Sequence, residues 1–421
     1  MFIFKRPFVL FVGILLHIVT GLSADKIRCS TAEVFKRNAV NQPDAILRKQ
    51  QLESDIQHWI TQNAAKRENG IQALITIPVV VHVVYGNEAQ NISDAQIQSQ
   101  IDRLNKDFSN SNADKLPSGQ PFFNVTGNAN IEFCLTKIDP NGNSTKGITR
   151  TNTSVSEFSD NNEVKFAASG GEDAWDATQY LNIWVCNLGG DLLGYAQFPS
   201  DLATAPETDG VVIGYQYFGS TGVVEAPYDL GRTATHEIGH WLNLEHIWGD
   251  DDNCSGSDNV GDTPNQETET TGCPSGVRTD NCTSNTPGVM YQNYMDYTDD
   301  ACMVMFTKGQ VERMNAVFDI KRSAIKTSNK CSGTTSIALQ SNGKLKVYPN
   351  PVQNYLTIEG LPKTKSGNFR IDIFNALGQK VYTAEISSDT MIEMADLKTG
   401  TYVMTIYNND FTLTQKLTVL K

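Results

Sequence analysis

The chain has 421 residues, with 34 lysines and arginines against 47 aspartates and glutamates, a formal net charge of −13. With 19% charged residues and no basic run, it is poorly suited to grip phosphate backbones, which excludes nucleic acid as a partner. A hydrophobic content of 39% excludes disorder, and the length suits two or three domains of roughly 100–200 residues each.

Lys5-Arg6, the apolar stretch from Pro7 to Thr20 and the small residues Gly21, Ser23 and Ala24 follow the order of a secretory signal over 1–24. The apolar stretch is too short to span a bilayer comfortably, so the mature chain is expected outside the cytoplasm with no transmembrane segment. Residues 25–70 are expected to form a pro-segment. Its stretch 31–67 is polar and helix-prone, with Val34, Ile46 and Leu52 as sparse apolar points, and it ends in Ala64-Ala65-Lys66-Arg67. The run from Ile75 to Tyr85 is apolar on both faces, as a central strand is. Ser93 can cap a helix whose apolar positions Ile97, Ile101, Leu104 and Phe108 recur at helical spacing. Two strand-like runs follow, from Ile131 to Leu135 and from Leu181 to Cys186, so 71–330 is expected to be an α/β (α+β) domain. A linker composition over 331–344 leads to 345–421, where Leu356–Ile358, Phe369–Phe374, Lys380–Tyr382, Thr401–Tyr407 and Leu413–Val419 alternate with turn residues. That spacing predicts a small all-β sandwich.

Eight cysteines then fall in a compartment that permits disulfides. Cys254, Cys273, Cys282 and Cys302 crowd into a Gly/Asn/Asp/Thr-rich stretch that cannot build a core of its own, where staples are physically useful. Their spacing leaves three pairings open. Cys134 and Cys186 could pair with each other or serve as small buried hydrophobes.

Histidine is rare, at six residues, yet three lie within eleven positions: His236-Glu237-Ile-Gly-His240-Trp-Leu-Asn243-Leu-Glu-His246. On a helix, His236 and His240 stand one turn apart on the same face, so both imidazoles can reach one ion, and Glu237 can contact a water there without being a ligand. Asn243 tolerates the left-handed conformation that ends a helix, and the chain must turn there for His246 to return. Three neutral imidazoles with one open position describe a catalytic zinc site, with Glu237 as general base and then acid. His82, inside an apolar strand, reads as a hydrogen-bonded core residue.

The eleven-residue run resembles the long zinc motif of the metzincin peptidases, with Asn243 where the family usually has Gly. Tyr291-Gln-Asn-Tyr-Met295-Asp-Tyr297 is similar to the metzincin Met-turn. The frame from Asn293 through Cys302 and Phe306–Gln310 to Arg313-Met314, together with Leu193–Pro199, resembles the pappalysin (cytophagalysin) family in particular. The resemblance implies a metzincin-like catalytic domain with a mixed twisted sheet and an active-site helix, and the activity of a secreted zinc endopeptidase. It implies Met295 as the apolar floor under the metal, Tyr297 as a stabiliser of the tetrahedral intermediate, and the pairings Cys254–Cys282 and Cys273–Cys302. Residues 187–199 would supply an edge strand along which an extended peptide adds. Gly249-Asp-Asp-Asp252, Asp258 and Asp262 are dense in hard oxygen ligands suited to calcium, and the resemblance points to Asp258, the Val260 carbonyl and Thr263. Arg28-Cys29 resembles a cysteine switch, in which a pro-segment thiolate takes the open zinc position of a latent zymogen. Ser30 follows where Gly is commoner, and a Cys29–Cys331 disulfide is the alternative.

Val347-Tyr-Pro-Asn-Pro351, Phe374–Val381, Leu397–Tyr402 and the terminal Lys416–Lys421 resemble the C-terminal sorting domain of the Bacteroidetes type IX secretion system. This implies a Gram-negative source, export to the medium or the cell surface, and the translocon as a partner alongside protein or peptide substrates. Readings from other classes are a surface-binding module with a degenerate zinc site, and a zinc amidase or esterase. Cleavage preference is not legible, because the pocket beside the metal is built by loops around 299–306.

Overall fold

The computed structural model describes residues 26–67, 74–251, 253–331, 345–361, 367–375, 378–408 and 412–421. The signal at 1–24, the linker beyond residue 331 and Asp252 lie outside the described residues. Helices α1 (Thr31–Asn41) and α2 (Ala45–Arg67) lead into β1 (Ile75–Tyr85), α3 (Asp94–Phe108), β2 (Ile131–Leu135), β3 (Ile148–Asn152), β4 (Leu181–Cys186), β5 (Gly194–Ala196) and β6 (Val211–Gly214). Helices α4 (Arg232–Trp241) and α5 (Lys308–Ile320) complete this region. The sheet runs β2-β1-β4-β6-β5, with β3 pairing the second half of β1. All its pairings are parallel except that of β5, which lies antiparallel on β6 and forms an edge.

The apolar run of β1 is explained by cover on both faces. Ile77, Val79, Val81 and Val83 enter the main core with α3, α4 and α5, whereas Val84 joins Trp184, Val212 and Tyr195 in a second cluster behind the sheet. The Ser93 hydroxyl accepts from the Gln96 amide and starts α3, which buries Ile97, Ile101, Leu104 and Phe108. His82 is buried and bonded to Thr149 and Asn182, and burial pushes its pKa down to about 4, as a neutral core residue requires.

Residues 31–67 are more firmly packed than their composition suggests. Leu52 and Ile56 of α2 belong to the main core and Val34 of α1 to the second cluster, while Ile46, another of the segment's sparse apolar points, is 53% exposed. A single turn of α2 separates Leu52 from Ile56, and Trp59 and Ile60, partly buried against the same core, with the Glu53–Arg313 ion pair help to seat this otherwise polar helix.

The cysteines settle into three disulfides, Cys134–Cys331, Cys254–Cys282 and Cys273–Cys302. Cys134 does not pair with Cys186, because β1 lies between β2 and β4. Two strand spacings, about 9.6 Å, exceed the Cα separation of about 4.4–6.8 Å that a disulfide spans. Nor does Cys29 pair with Cys331; Cys29 and Cys186 are both free and buried.

The C-terminal region folds as two antiparallel sheets around its own core of Val352, Leu356, Ile371, Ile373, Met404 and Leu417, among others. Strands β7 (Lys346–Tyr348), β8 (Tyr355–Glu359) and β11 (Thr390–Glu393) form one sheet in the order β11-β8-β7. Strands β9 (Phe369–Phe374), β10 (Lys380–Ile386), β12 (Gly400–Tyr407) and β13 (Thr412–Val419) form the other, in the order β10-β9-β12-β13. Among the described residues no helix is long and apolar enough to cross a membrane.

Candidate metal centre

Helix α4 carries His236 and His240 with Glu237 between them, all buried. Its end is set by Asn243, whose φ of 65° places it in the left-handed region while the Leu244 amide bonds back to the Gly239 carbonyl. The chain therefore reverses at the residue read as the turn, and His246 comes back over the helix end. The Nε2 atoms of His236, His240 and His246 then stand 3.1–3.2 Å from one another.

The other ring nitrogens decide what this triangle is. His236 Nδ1 lies 2.7 Å from the Tyr294 carbonyl, His240 Nδ1 2.7 Å from the Leu244 carbonyl, and His246 Nδ1 2.5 Å from Asp250 Oδ1. A carbonyl or carboxylate can only accept, so each ring donates from Nδ1 and turns an Nε2 lone pair inward. Burial, and then the neighbouring imidazoles, hold His236 and His240 far below the ordinary histidine range, so protonation does not relieve the clash. Three converging lone pairs at this spacing repel unless a cation lies among them. The donor set fits a divalent metal that takes imidazole nitrogens.

Cys29 supplies a fourth donor, since its Sγ and the three histidine nitrogens all lie within 4.8 Å of one another. Burial, and next the Glu237 carboxylate, push this thiol well above the usual range, so its thiolate requires a cation at its side. The same segment engages the rest of the site. Thr31 Oγ1 donates to Glu237 Oε2 at 2.9 Å and accepts from the Ala196 amide of β5, and Cys29 Sγ is 3.5 Å from the same carboxylate. Burial raises the Glu237 carboxyl to about 7, and its Oε1 is buried without a partner. Residues 27–30 add to the edge preceding and entering β5, through Ile27 N to Asp191 O, Leu193 N to Ile27 O and Ser30 N to Gly194 O, with a parallel bridge at Ile27–Leu192. Arg28 turns its side chain into buried surroundings next to the site, where its guanidinium is 2.9 Å from Asp300 Oδ1 and stacks over Tyr228.

Met295 sits on a turn whose Tyr294 carbonyl orients His236, and the Asn293 carboxamide accepts from the Met295 amide to hold that turn. A Cβ on Gly239 would meet Met295 Sδ at 2.5 Å, so this close approach depends on the glycine of the helix. Tyr297 packs against His246, His236 and Trp248, and its hydroxyl donates to the Cys29 carbonyl at 3.4 Å.

The acidic run divides. Thr263 Oγ1 lies within 2.8–3.1 Å of both Asp258 oxygens and the Val260 carbonyl, so the three residues read as one cluster do converge. Burial raises the Asp258 carboxyl to about 7, and no ion pair to it occurs among the described residues. Asp250, grouped with these ligands by its position in the sequence, instead orients His246, while Asp251 and Asp262 bond to Ser255 and to the Gly309 amide. The contacts of Asp250, Asp300 and Thr31 were not foreseen. Only Asp250 carried a readable signal, four residues after a presumed ligand.

Residues 167–319 match the peptidase family M43, described as pregnancy-associated plasma protein-A, and residues 346–420 match the secretion-system C-terminal sorting domain. Extracellular metalloprotease 1 of Coccidioides posadasii is 34% identical over 267 residues, which span 61% of this chain and 82% of that protein. Mature mirolysin of Tannerella forsythia, solved with a cleaved peptide, is 61% identical with a TM-score of 0.60, covering 61% of this chain and 97% of that one. A promirolysin mutant from the same organism is 53% identical with a TM-score of 0.65, covering 72% of this chain and 97% of that one. The likeness thus takes in the peptidase region, the leading segment and, through a separate match, the sorting tail: the chain belongs to the pappalysin family of metalloendopeptidases.

Proposed function

We propose that the chain is the latent precursor of a secreted zinc endopeptidase, with a signal over 1–24, a pro-segment over 25–70, a peptidase domain over 71–330, a linker over 331–344 and a sorting domain over 345–421. The observation that carries this reading is the convergence of three imidazole lone pairs beside a buried carboxylate, with a cysteine of the chain's own leading segment facing them. Zinc held by His236, His240 and His246 supplies Lewis acidity, polarising a peptide carbonyl and bringing the pKa of water towards about 7. Glu237 moves the proton: its Oε2, released from Thr31, accepts it from the attacking water and delivers it to the departing amide nitrogen. The Tyr297 hydroxyl, which donates to a pro-segment carbonyl in the precursor, donates to the substrate oxygen as negative charge develops there.

Cys29 occupies the water's place in the precursor, and the neighbouring Arg28 indicates the kind of side chain that a substrate places next to the cut. A peptide adding antiparallel to the edge forms the more stable ladder. In that direction, residues nearer Leu192 lie on the carboxyl side of those nearer Gly194, so the Asp300 pocket receives the residue just after the cut. A buried carboxylate facing an aromatic ring selects a basic side chain. The extended track along β5 favours a peptide over a small amide or ester. Asp258, Val260 and Thr263 hold a structural calcium ion that brings the Asp258 carboxylate a counter-charge. The sorting domain directs export through the type IX machinery of a Gram-negative cell, to the medium or the cell surface.

Glu237→Ala is expected to lower kcat on casein by about four orders of magnitude with bound zinc unchanged; a zinc-loaded variant that keeps full activity would overturn the proton role. Cys29→Ala should yield a precursor that digests substrate before processing, and an inert one would remove Cys29 as the latch. For Asp300→Asn, kcat/KM on peptides with arginine after the cut should fall about a hundredfold relative to peptides with leucine there, the scale of losing one partner of a buried pair. Calcium should raise the unfolding midpoint, and Asp258→Asn should abolish that response. Without calcium, Asp258 has its pKa raised from 3.8 to about 7, so its contribution to stability should be lost as pH rises across that window, with calcium restoring it at the upper end. A calcium-independent melting curve would refute the site.

A further inference from the structure

The pro-segment carries a second cation two residues outward from the one in the Asp300 pocket. Lys26 Nζ is 2.9 Å from Asp191 Oδ1 and lies 5.6 Å from the centre of the Tyr217 ring. They meet in a cleft of about 250 Å³ at the end of the edge strand, lined also by Glu157, Gln216 and Gly214. Lys26 is the only cation among its lining residues. The Tyr217 phenol, and then Asp191, hold the Lys26 ammonium above the ordinary lysine range, with Glu225 adding to the field. Backbone bonds on both sides of Ile27 fix this stretch as an extended strand, so Lys26 and Arg28 are spaced as alternate residues, about 6.6 Å along the track.

Removing the pro-segment takes Lys26 away but leaves Asp191, Tyr217 and Glu157 in place around an open cleft. We infer that Asp191 and Tyr217 form a second specificity subsite, which takes a lysine or arginine at the third residue after the cut. The inference rests on the reading that substrates follow the pro-segment's track with a basic residue in the Asp300 pocket. Polarity is reversed between the two, but distance outward from the metal is not: one residue reaches the Asp300 pocket, and two more reach Asp191. A substrate matching both subsites carries the pattern basic, any residue, basic on the carboxyl side of the bond. The second subsite is shallower, since Asp191 has 44% of its side chain exposed where Asp300 has none, so it contributes less selectivity and is weakened more by salt.

The test uses the processed enzyme and three quenched peptides with arginine fixed after the cut and lysine, alanine or glutamate at the third position. The expected kcat/KM ratio of lysine to alanine is about 5–10, with glutamate below alanine. Asp191→Asn, which keeps a residue tolerant of the local left-handed backbone, should bring the lysine-to-alanine ratio to about 1; so should high salt in the wild-type enzyme. A wild-type ratio of 1, or a ratio that survives Asp191→Asn, overturns the subsite while leaving the Asp300 reading intact. Cuts located by mass spectrometry at bonds with no basic residue after them overturn both.

Discussion

Three nitrogen lone pairs pointed at one another from about 3.1 Å is an arrangement a protein must be compelled to keep. The compulsion comes from behind each ring, where a carbonyl or carboxylate takes the Nδ1 proton and forbids the tautomer that would relieve the repulsion. Those acceptors sit on separate pieces of chain: the turn before Met295, the turn after α4 and the loop after His246. Each piece is held in turn, by the Asn293 carboxamide, by the left-handed Asn243 and by the stacking of Trp248 on His246. Much of the local fold therefore serves to aim three imidazoles, and a cation among them offsets the repulsion that this aiming creates.

The leading segment completes the site in a different sense, because it sets a matching group against each of the site's polar features. The Cys29 thiol faces the histidines, the Thr31 hydroxyl bonds the Glu237 carboxylate, and the Arg28 guanidinium lies against the Asp300 carboxylate. On the proposed function, latency and specificity are read from the same contacts. What blocks the cleft also reports the chemistry the cleft accepts.

The legible parts of the sequence were those in which one residue type has few physical uses. The His-Glu-x-x-His spacing, the asparagine at the helix end and the doubly apolar β1 each had a single economical reading, and fold and site agree with them. Short elements were not legible from periodicity: β6 spans four residues, and the three-residue β5 was reached only through the family resemblance of 187–199, which expected an edge strand there. The α1–α2 segment was read as polar because its deeply buried apolar residues are few, Val34, Leu52 and Ile56 with the small Ala32 and Ala45, and whole-segment hydropathy averages them away. Long-range partners were invisible in principle. Nothing near Arg28 points to Asp300, 272 residues away, and nothing near Cys134 points to Cys331. The acidic run misled in one respect, since adjacent aspartates on a tight loop point in different directions and serve different neighbours.

The Cys134–Cys331 bond has a mechanical consequence. It joins β2, at one edge of the sheet, to the last described residue before the linker, and the Lys330 carbonyl next to it accepts bonds from the Lys137 amide and the Thr136 hydroxyl. A force applied to the C-terminal region would meet the rest of the chain first at that cystine, on strand β2 of the sheet. Without it, the same pull would begin at the segment after α5, where Ile325 is the last side chain seated in the main core. The covalent clasp thus separates the part of the molecule that is pulled from the part that must keep its shape.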